Sequence, residues 1–273
     1  MHKTEDSNPH MHAICAILIC MVDWNIFWNY IDPDDPGDIG FGLFTKAHFT
    51  WLLVLAVLIA AITILYYRGD GKRRDNIRKC IALFLLFIEI FKQCLNSLNG
   101  IPHGIYLPLE ICSFAEYTIL IDAMWPDLRL TKQLLAFAFL PSALMALVMP
   151  SATIYPAISF YAIHQLTMHA GIVAYIIARY SAGEIRPRYS GIWLSILIAL
   201  ILSIPVYWIN MLFGQNYIYL AGPAENSVIN LVWNLSGASG GIPYIIGLTV
   251  LVAIVMHITY GIYCLFDLKR RHQ

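Results

Sequence analysis

The chain has 273 residues, of which 59% are hydrophobic and only 12% are charged, whereas soluble domains carry about 25% charged residues. This composition excludes a water-soluble globule. Its 17 basic and 17 acidic residues balance, so the chain lacks the excess of basic charge that nucleic-acid binding requires.

Apolar runs bounded by charges, Pro or Gly predict the membrane spans, since a spanning helix needs about 20 apolar residues. The runs cover 13–31, 46–67, 80–98, 107–125, 133–149, 156–178, 190–213 and 241–266. We therefore expect a single integral membrane domain over 1–273, an all-α polytopic transmembrane bundle with seven or eight spans. The first run is the weakest because Asp23, Asn25 and Asn29 interrupt it, and the count is seven if that run lies in the interface.

Basic residues predict the orientation of the bundle. They follow the second, fourth and sixth runs and also end the chain, whereas residues 32–38 of an opposite loop contain four aspartates. Because Lys and Arg are enriched in cytoplasmic loops, we expect a cytoplasmic C-terminus. In the long outer loop, Asn226, Asn230 and Asn234 recur every four residues among apolar ones, which predicts a short amphipathic helix at the membrane surface.

Polar and ionisable residues gather in the predicted outer halves of several spans. The inner halves are drier, with Asp122 and His257 as exceptions. The outer set comprises Glu89, Lys92, Gln93 and Asn96 on one face of the third span, Glu110, Cys112 and Glu116 in the fourth, His164 in the sixth and His48 at the start of the second. Such side chains are costly in hydrocarbon, so they predict a polar cavity that opens to the outer face.

Two members of this set have the chemistry of a nucleophile and its base. Cys112 lies just after Pro108, at the partly positive N-terminal end of its helix, and Lys92 and His164 are predicted at comparable depth. A nearby base and cation activate a thiol. The plainer alternatives are a Glu89–Lys92 pair that neutralises itself and a buried structural thiol. The six cysteines contain no CxxC pair, so no disulfide framework, metal site or cofactor is expected.

Five short motifs carry a family resemblance. They are FTKAH at 44–48, LPLEIC at 107–112, ALVMP at 146–150, FYAIH at 160–164 and NYIYL at 216–220. In this order they resemble the YwaF-like family of bacterial integral membrane proteins over about residues 41–225. The resemblance implies a multi-pass protein of the bacterial inner membrane, with membrane lipids as partners.

The resemblance also implies an activity, because related vertebrate membrane proteins are described as cysteine-dependent acyltransferases that remodel ether phospholipids. More distant relatives are described as Thr/His lipid-ester hydrolases. By this likeness Cys112 is the acyl-accepting nucleophile of a lipid acyltransferase or lipid-ester hydrolase, and a phospholipid is the substrate. His164 is its general base, with Glu110, Glu116 or Glu89 as an orienting partner. Two alternatives stay open: a small-solute transporter, and a non-catalytic membrane scaffold.

Overall fold

The computed structural model describes residues 24–31, 37–223, 227–238 and 240–271, and within these ranges it contains helices and no strand. The helices are α1 (Trp24–Trp28), α2 (Lys46–Tyr67), α3 (Gly71–Leu98), α4 (Ile111–Met124), α5 (Arg129–Leu134), α6 (Leu140–Val148), α7 (Phe160–Ser181), α8 (Tyr189–Phe213), α9 (Ser227–Leu235) and α10 (Gly241–Arg271). A π-helical segment, Leu135–Phe139, joins α5 to α6. The all-α prediction is confirmed.

Six segments of the described chain are long and apolar enough to cross a membrane. They are Lys46–Tyr67, Gly71–Leu98, Arg129–Ile154, Phe160–Ser181, Tyr189–Phe213 and Gly241–Leu268. The predicted fourth span corresponds to α4, whose 14 residues extend about 21 Å, less than a hydrocarbon core of about 30 Å. Most of the predicted first span lies outside the described residues. The prediction of a polytopic bundle therefore holds, while the count of seven or eight spans stays a prediction.

Local capping explains where the helices begin. Thr45 accepts a hydrogen bond from the His48 amide at the start of α2, and Ser159 does the same for the Ala162 amide at the start of α7. Asp70 caps α3 through the Arg73 amide, so this helix begins nine residues before its apolar run. These side chains satisfy amide groups that the first helical turn leaves unpaired.

Helix α7 is the centre of the bundle. It packs against α2, α3, α4 and α6, and 67% of its most apolar stretch is buried. Gly171 permits close approach of α3, because a Cβ at that position would come within 2.9 Å of Leu85. Leu85, Ile119 and Leu166 are completely buried in the core between these helices. Polar side chains on α7 are thereby enclosed by neighbouring helices.

The predicted amphipathic helix of the long outer loop is present as α9. It packs against α10, where the edge of the Trp233 ring meets Tyr244 with ring centroids 5.0 Å apart. Leu231 and Leu235 on α9 are exposed. Apolar side chains on both sides of this helix are consistent with a position against the bundle at a membrane boundary.

Candidate functional site

A buried carboxylate, that of Glu89, is the centre of the polar site. Its Oε2 lies 2.7 Å from Lys92 Nζ and 3.4 Å from His164 Nε2, and its Oε1 accepts a hydrogen bond of 2.6 Å from Gln93 Nε2. Only 6% of Glu89 and 5% of His164 are exposed. We call these four residues the Glu89 cluster. A carboxylate so enclosed keeps its charge only because partners replace its lost hydration.

Two helices position the cluster in an antiparallel register. Glu89, Lys92 and Gln93 share a face of α3 by their spacing of three and four residues, and His164 is in the second turn of α7. A second contact fixes the same register, since Tyr161 donates a 2.6 Å hydrogen bond to Asn96 Oδ1. From Glu89 to Asn96 the chain runs toward the C-terminus of α3, whereas their partners, His164 and Tyr161, run toward the N-terminus of α7. The two helices are therefore antiparallel, and this register places His164 against Glu89. Asn96 supports the site through this contact.

The segment before α4 closes one side of the cluster. Gln93 Nε2 also donates a 3.0 Å hydrogen bond to the Tyr106 carbonyl. From there the chain continues to Glu110, whose Oε2 accepts a 3.3 Å hydrogen bond from the Ile218 amide. The Glu110 side chain therefore does not cap α4. The first turn of α4, which contains Cys112, consequently has no side-chain cap to oppose its partial positive charge.

Cys112 and His164 share an electrostatic environment without a direct contact. The charges of Glu89 and Lys92 act on both the thiol and the imidazole. Cys112 is partly buried and packs beside the main core. Its Sγ forms no hydrogen bond with any residue that the structure describes. His164 is thus in direct contact with the cluster through Glu89, whereas Cys112 is on the neighbouring helix α4, which packs against α7.

Glu116 supplies a second buried carboxylate on α4, one turn after Cys112. It is 5% exposed, and within the described part of the chain its Oε1 has no hydrogen-bond partner. The charges of Glu89 and Lys92 reach it as well. An unpaired buried oxygen is costly, so this carboxyl is a candidate for contact with a proton or a bound molecule.

His48 lies in a different contact network from the Glu89 cluster. It is fully buried, its Nδ1 accepts a hydrogen bond of 3.2 Å from the Phe44 amide, and its Nε2 lies 3.0 Å from the Leu147 carbonyl. With Nδ1 as acceptor, Nε2 carries the proton and donates it. Both ring nitrogens therefore connect α2 to backbone groups, including one on α6, and within the described chain this ring forms no hydrogen bond with Glu89.

A second buried charged group lies near the opposite end of α7. Sequence patterns singled out its Asp122, but not the Arg179 that pairs with it. Arg179 is 1% exposed; its guanidinium contacts Asp122 through Nη1, Glu184 through Nε at 3.0 Å and the Pro126 carbonyl through Nη2 at 2.9 Å. Tyr175 donates to the same Asp122 carboxylate at 2.7 Å. In the sequence, Tyr175 and Arg179 are one helical turn apart and therefore share a face of α7. That spacing is the pattern from which this group could have been predicted.

Glu184 connects this group to α2 and α3, outside the spanning segments. Tyr66 donates a 2.7 Å hydrogen bond to its Oε2, and Arg78 lies 3.5 Å from the same atom. Burial raises the pKa of Glu184, but the hydrogen bonds from Tyr66 and Arg179 outweigh it and hold the pKa below its usual value. The ionised carboxylate thereby stabilises the ends of three helices against one another.

Among residues 24–31, 37–223, 227–238 and 240–271, no group of three or more His, Cys, Asp or Glu side chains is placed to hold a metal ion. The fold and the site together define a polytopic helical membrane protein with an ionisable cluster enclosed between its helices.

The comparison with family models identifies the particular family. A model of the TMEM164 family matches residues 43–260, so the chain belongs to the TMEM164 family. The matched region includes Cys112 and the whole Glu89 cluster. Searches among curated proteins and among solved structures found no match. The YwaF-like resemblance, and the acyl transfer that it implies, stay predictions.

Proposed function

We propose that this membrane protein transfers or hydrolyses the acyl chains of lipid esters, with Cys112 as the acyl acceptor and His164 as the general base. The observation that carries the proposal is the contact between the buried His164 imidazole and the Glu89 carboxylate, beside helix α4, whose first turn contains Cys112. A base held by a carboxylate and placed near a thiol is the arrangement that activates cysteine nucleophiles. The proposal requires an opening between the helices through which a lipid acyl ester reaches this enclosed site from the membrane.

Glu89 is the orienting group in this proposal. Its 3.4 Å contact with His164 Nε2 holds the ring and favours the charge that the imidazole gains when it takes a proton. Lys92 already neutralises the carboxylate at rest. The ammonium of Lys92 has three donors, so those not directed at Glu89 are available to an oxyanion that forms on a substrate carbonyl.

The proposed reaction has two half-reactions, acylation and deacylation of Cys112. Cys112 Sγ gives its proton to His164 and attacks the ester carbonyl carbon of the lipid, which forms a tetrahedral oxyanion. The carbonyl–oxygen single bond then breaks, and the departing lysolipid alcohol takes the proton from His164, leaving an acyl thioester on Cys112. An acceptor alcohol, or water, attacks the thioester and gives its proton to His164, from which the departing thiolate recovers it.

The proposal requires the thiol and the imidazole to meet during the reaction. Within the described chain Cys112 has no hydrogen bond, and catalytic hydrogen bonds commonly tighten only when substrate binds. The two groups are on helices that pack against each other, α4 and α7, and the proposal requires their side chains to approach when substrate binds.

The test uses the purified protein in nanodiscs with a phospholipid whose acyl chain carries a label. Wild type should form a labelled thioester that maps to Cys112 by peptide mass spectrometry and is released by hydroxylamine. Cys112→Ala should abolish the adduct, whereas Cys94→Ala, which alters an exposed thiol on α3, should leave it unchanged. Loss of a general base costs about 10²- to 10⁴-fold, so His164→Gln should slow turnover by that factor. Absence of a thioester in wild type, or its persistence in Cys112→Ala, refutes the proposal.

The unpartnered Glu116 oxygen favours one alternative, a proton-coupled transporter. Buried ionisable groups in spanning helices often bind protons or solutes. In proteoliposomes with an imposed pH gradient, wild type would then dissipate the gradient faster than Glu116→Gln, as reported by an enclosed pH-sensitive dye. Equal rates in both proteins exclude this role of Glu116. A protein with neither a thioester nor proton flux would fit the non-catalytic scaffold.

A further inference from the structure

A basic cavity of about 540 Å³ lies near the end of the bundle opposite the Glu89 cluster. It is formed where α5 and α8 begin and α7 ends. Its basic lining residues are Arg78, Arg129, Lys132, Arg179, Arg186 and Arg188. The lining contains two carboxylates, Asp127 and Glu184. Six basic and two acidic side chains therefore line one opening, which we call the basic-end cavity. Two of the six cations also pair with carboxylates outside the lining, Arg78 with Asp75 and Arg179 with Asp122.

Half of these six cations have no carboxylate partner within the described chain. Asp127 has a fully exposed side chain and lies 3.3 Å from Lys132, and Glu184 is shared among Arg74, Arg78 and Arg179. Among the described residues, the Arg129 side chain donates only to the Ser190 hydroxyl and the Arg186 side chain only to the Gly183 carbonyl. Within the described chain, these two arginines and Arg188 form no ion pair.

The cavity combines buried and exposed donors. Arg179 and Gln133 are buried, whereas Arg129, Arg186 and Arg188 are exposed. Gln133 accepts a 2.9 Å hydrogen bond from the Arg188 amide and donates one of 3.1 Å to the Arg186 carbonyl. The backbone that presents the two exposed arginines is therefore fixed to α5, so binding at the cavity needs no ordering of this segment's backbone.

The location of the cavity corresponds to the headgroup level of a bilayer. Arg129 is the first residue of one spanning segment, Arg179 is in the last turn of another, and Arg188 directly precedes a third. Basic pockets between spanning helices commonly bind anionic lipid headgroups. The cavity volume also lies within the range of small-ligand pockets, about 300–1,000 Å³.

We propose that the basic-end cavity binds a phosphate group, either that of an anionic glycerophospholipid in the adjacent leaflet or that of a soluble phosphate compound. Arginine forks match the geometry of phosphate oxygens and form strong charge-assisted hydrogen bonds. This site is distinct from the Glu89 cluster, because His164 and Arg179 are separated by 15 positions of α7, or about 22 Å. The proposal therefore does not depend on the acyl-transfer chemistry.

The lipid arm of the test measures bound lipid by native mass spectrometry. Protein is released from nanodiscs that contain phosphatidylcholine with increasing phosphatidylglycerol. Wild type should retain phosphatidylglycerol over phosphatidylcholine, and Arg186→Gln/Arg188→Gln should weaken that preference by about tenfold, as expected for the loss of charged hydrogen bonds. The matched control is Lys72→Gln/Arg73→Gln, which removes two exposed charges at the same end but outside the cavity and should leave the preference unchanged.

The soluble arm measures the thermal midpoint in phosphatidylcholine nanodiscs with inorganic phosphate, against chloride at equal ionic strength. If phosphate raises the thermal midpoint of wild type and of the control, but not that of the cavity variant, the site is assigned to soluble phosphate. Loss of the phosphatidylglycerol preference confined to the cavity variant assigns it to lipid. The proposal is overturned if wild type shows neither effect, or if both double variants lose binding equally. Unchanged midpoints in phosphatidylcholine alone establish that the variants fold.

Discussion

The Glu89–Lys92 pair gives a quantitative test of how the site is held together. The carboxylate is almost completely buried, with 7% of its side chain exposed, whereas the Lys92 side chain is 19% exposed. Removal of one partner leaves the other charge without its counterion in a region where water is scarce. The appropriate perturbations are Glu89→Gln, Lys92→Met and the double variant.

The structure predicts that the two single variants differ in cost. Lys92→Met strands the more deeply buried charge and should cost about 3–5 kcal/mol of unfolding free energy. Glu89→Gln should cost less, about 1–3 kcal/mol, because Lys92 can extend its ammonium along its flexible side chain toward the surface. The double variant leaves no buried charge, and an uncharged pair is often as stable as the ion pair that it replaces. It should therefore be more stable than Lys92→Met.

The assay is equilibrium unfolding in mixed detergent micelles, followed by circular dichroism at fixed lipid content. The four proteins form a double-mutant cycle that isolates the pairwise interaction. Lys79→Met serves as a control because Lys79 and Asp75 form a 2.7 Å pair with side chains 55% and 37% exposed, and such pairs contribute about 0–1 kcal/mol. If the costs of the two single variants simply add in the double variant, the reasoning is wrong.

Two further predictions concern the basic end of the bundle. Because the folded-state pKa of Glu184 is lowered, its stabilisation is complete above the unfolded carboxyl pKa of about 4.3 and is lost as pH falls through the lower folded value. The difference in unfolding free energy between wild type and Glu184→Gln should thus become smaller as pH falls below about 4. A difference that stays constant with pH would contradict a lowered folded-state pKa of Glu184. Gly191→Ala should destabilise by about 1–3 kcal/mol, since its Cβ would overlap the Gln133 side chain, which two backbone hydrogen bonds hold in place. Thermal unfolding should show no such loss for Gly261→Ala, where the added Cβ meets open space.

Helix positions followed closely from hydropathy where a cap coincides with the apolar boundary. The run 46–67 has the same bounds as α2 because Thr45 caps its start and Arg68 follows its end. The run 80–98 began too late for α3, since Asp70 starts a helix whose first turns are charged. Hydropathy detects the part of a helix that meets lipid, whereas hydrogen bonding decides where the helix begins.

The polar site was predictable only within single helices. The spacing of Glu89, Lys92 and Gln93 placed them on one face, and their contacts show that arrangement. Which partner each residue meets on another helix depends on packing, which spacing does not encode. His48 is an example, because its depth resembled that of the cluster while its hydrogen bonds join α2 to α6.

The separation between the two polar regions constrains how they can act together. A lipid whose phosphate occupies the basic-end cavity lies about 22 Å along α7 from His164, most of a hydrocarbon core of about 30 Å. Its ester groups, which lie close to its own phosphate, therefore cannot reach Cys112. If occupation of the cavity changes acyl transfer, the effect must pass through α7, because this helix contains both His164 and Arg179. In Arg186→Gln/Arg188→Gln the anionic lipid should then no longer change the rate of acyl transfer, while the rate in phosphatidylcholine alone is retained. A direct substrate role for the cavity would lower the rate in phosphatidylcholine as well.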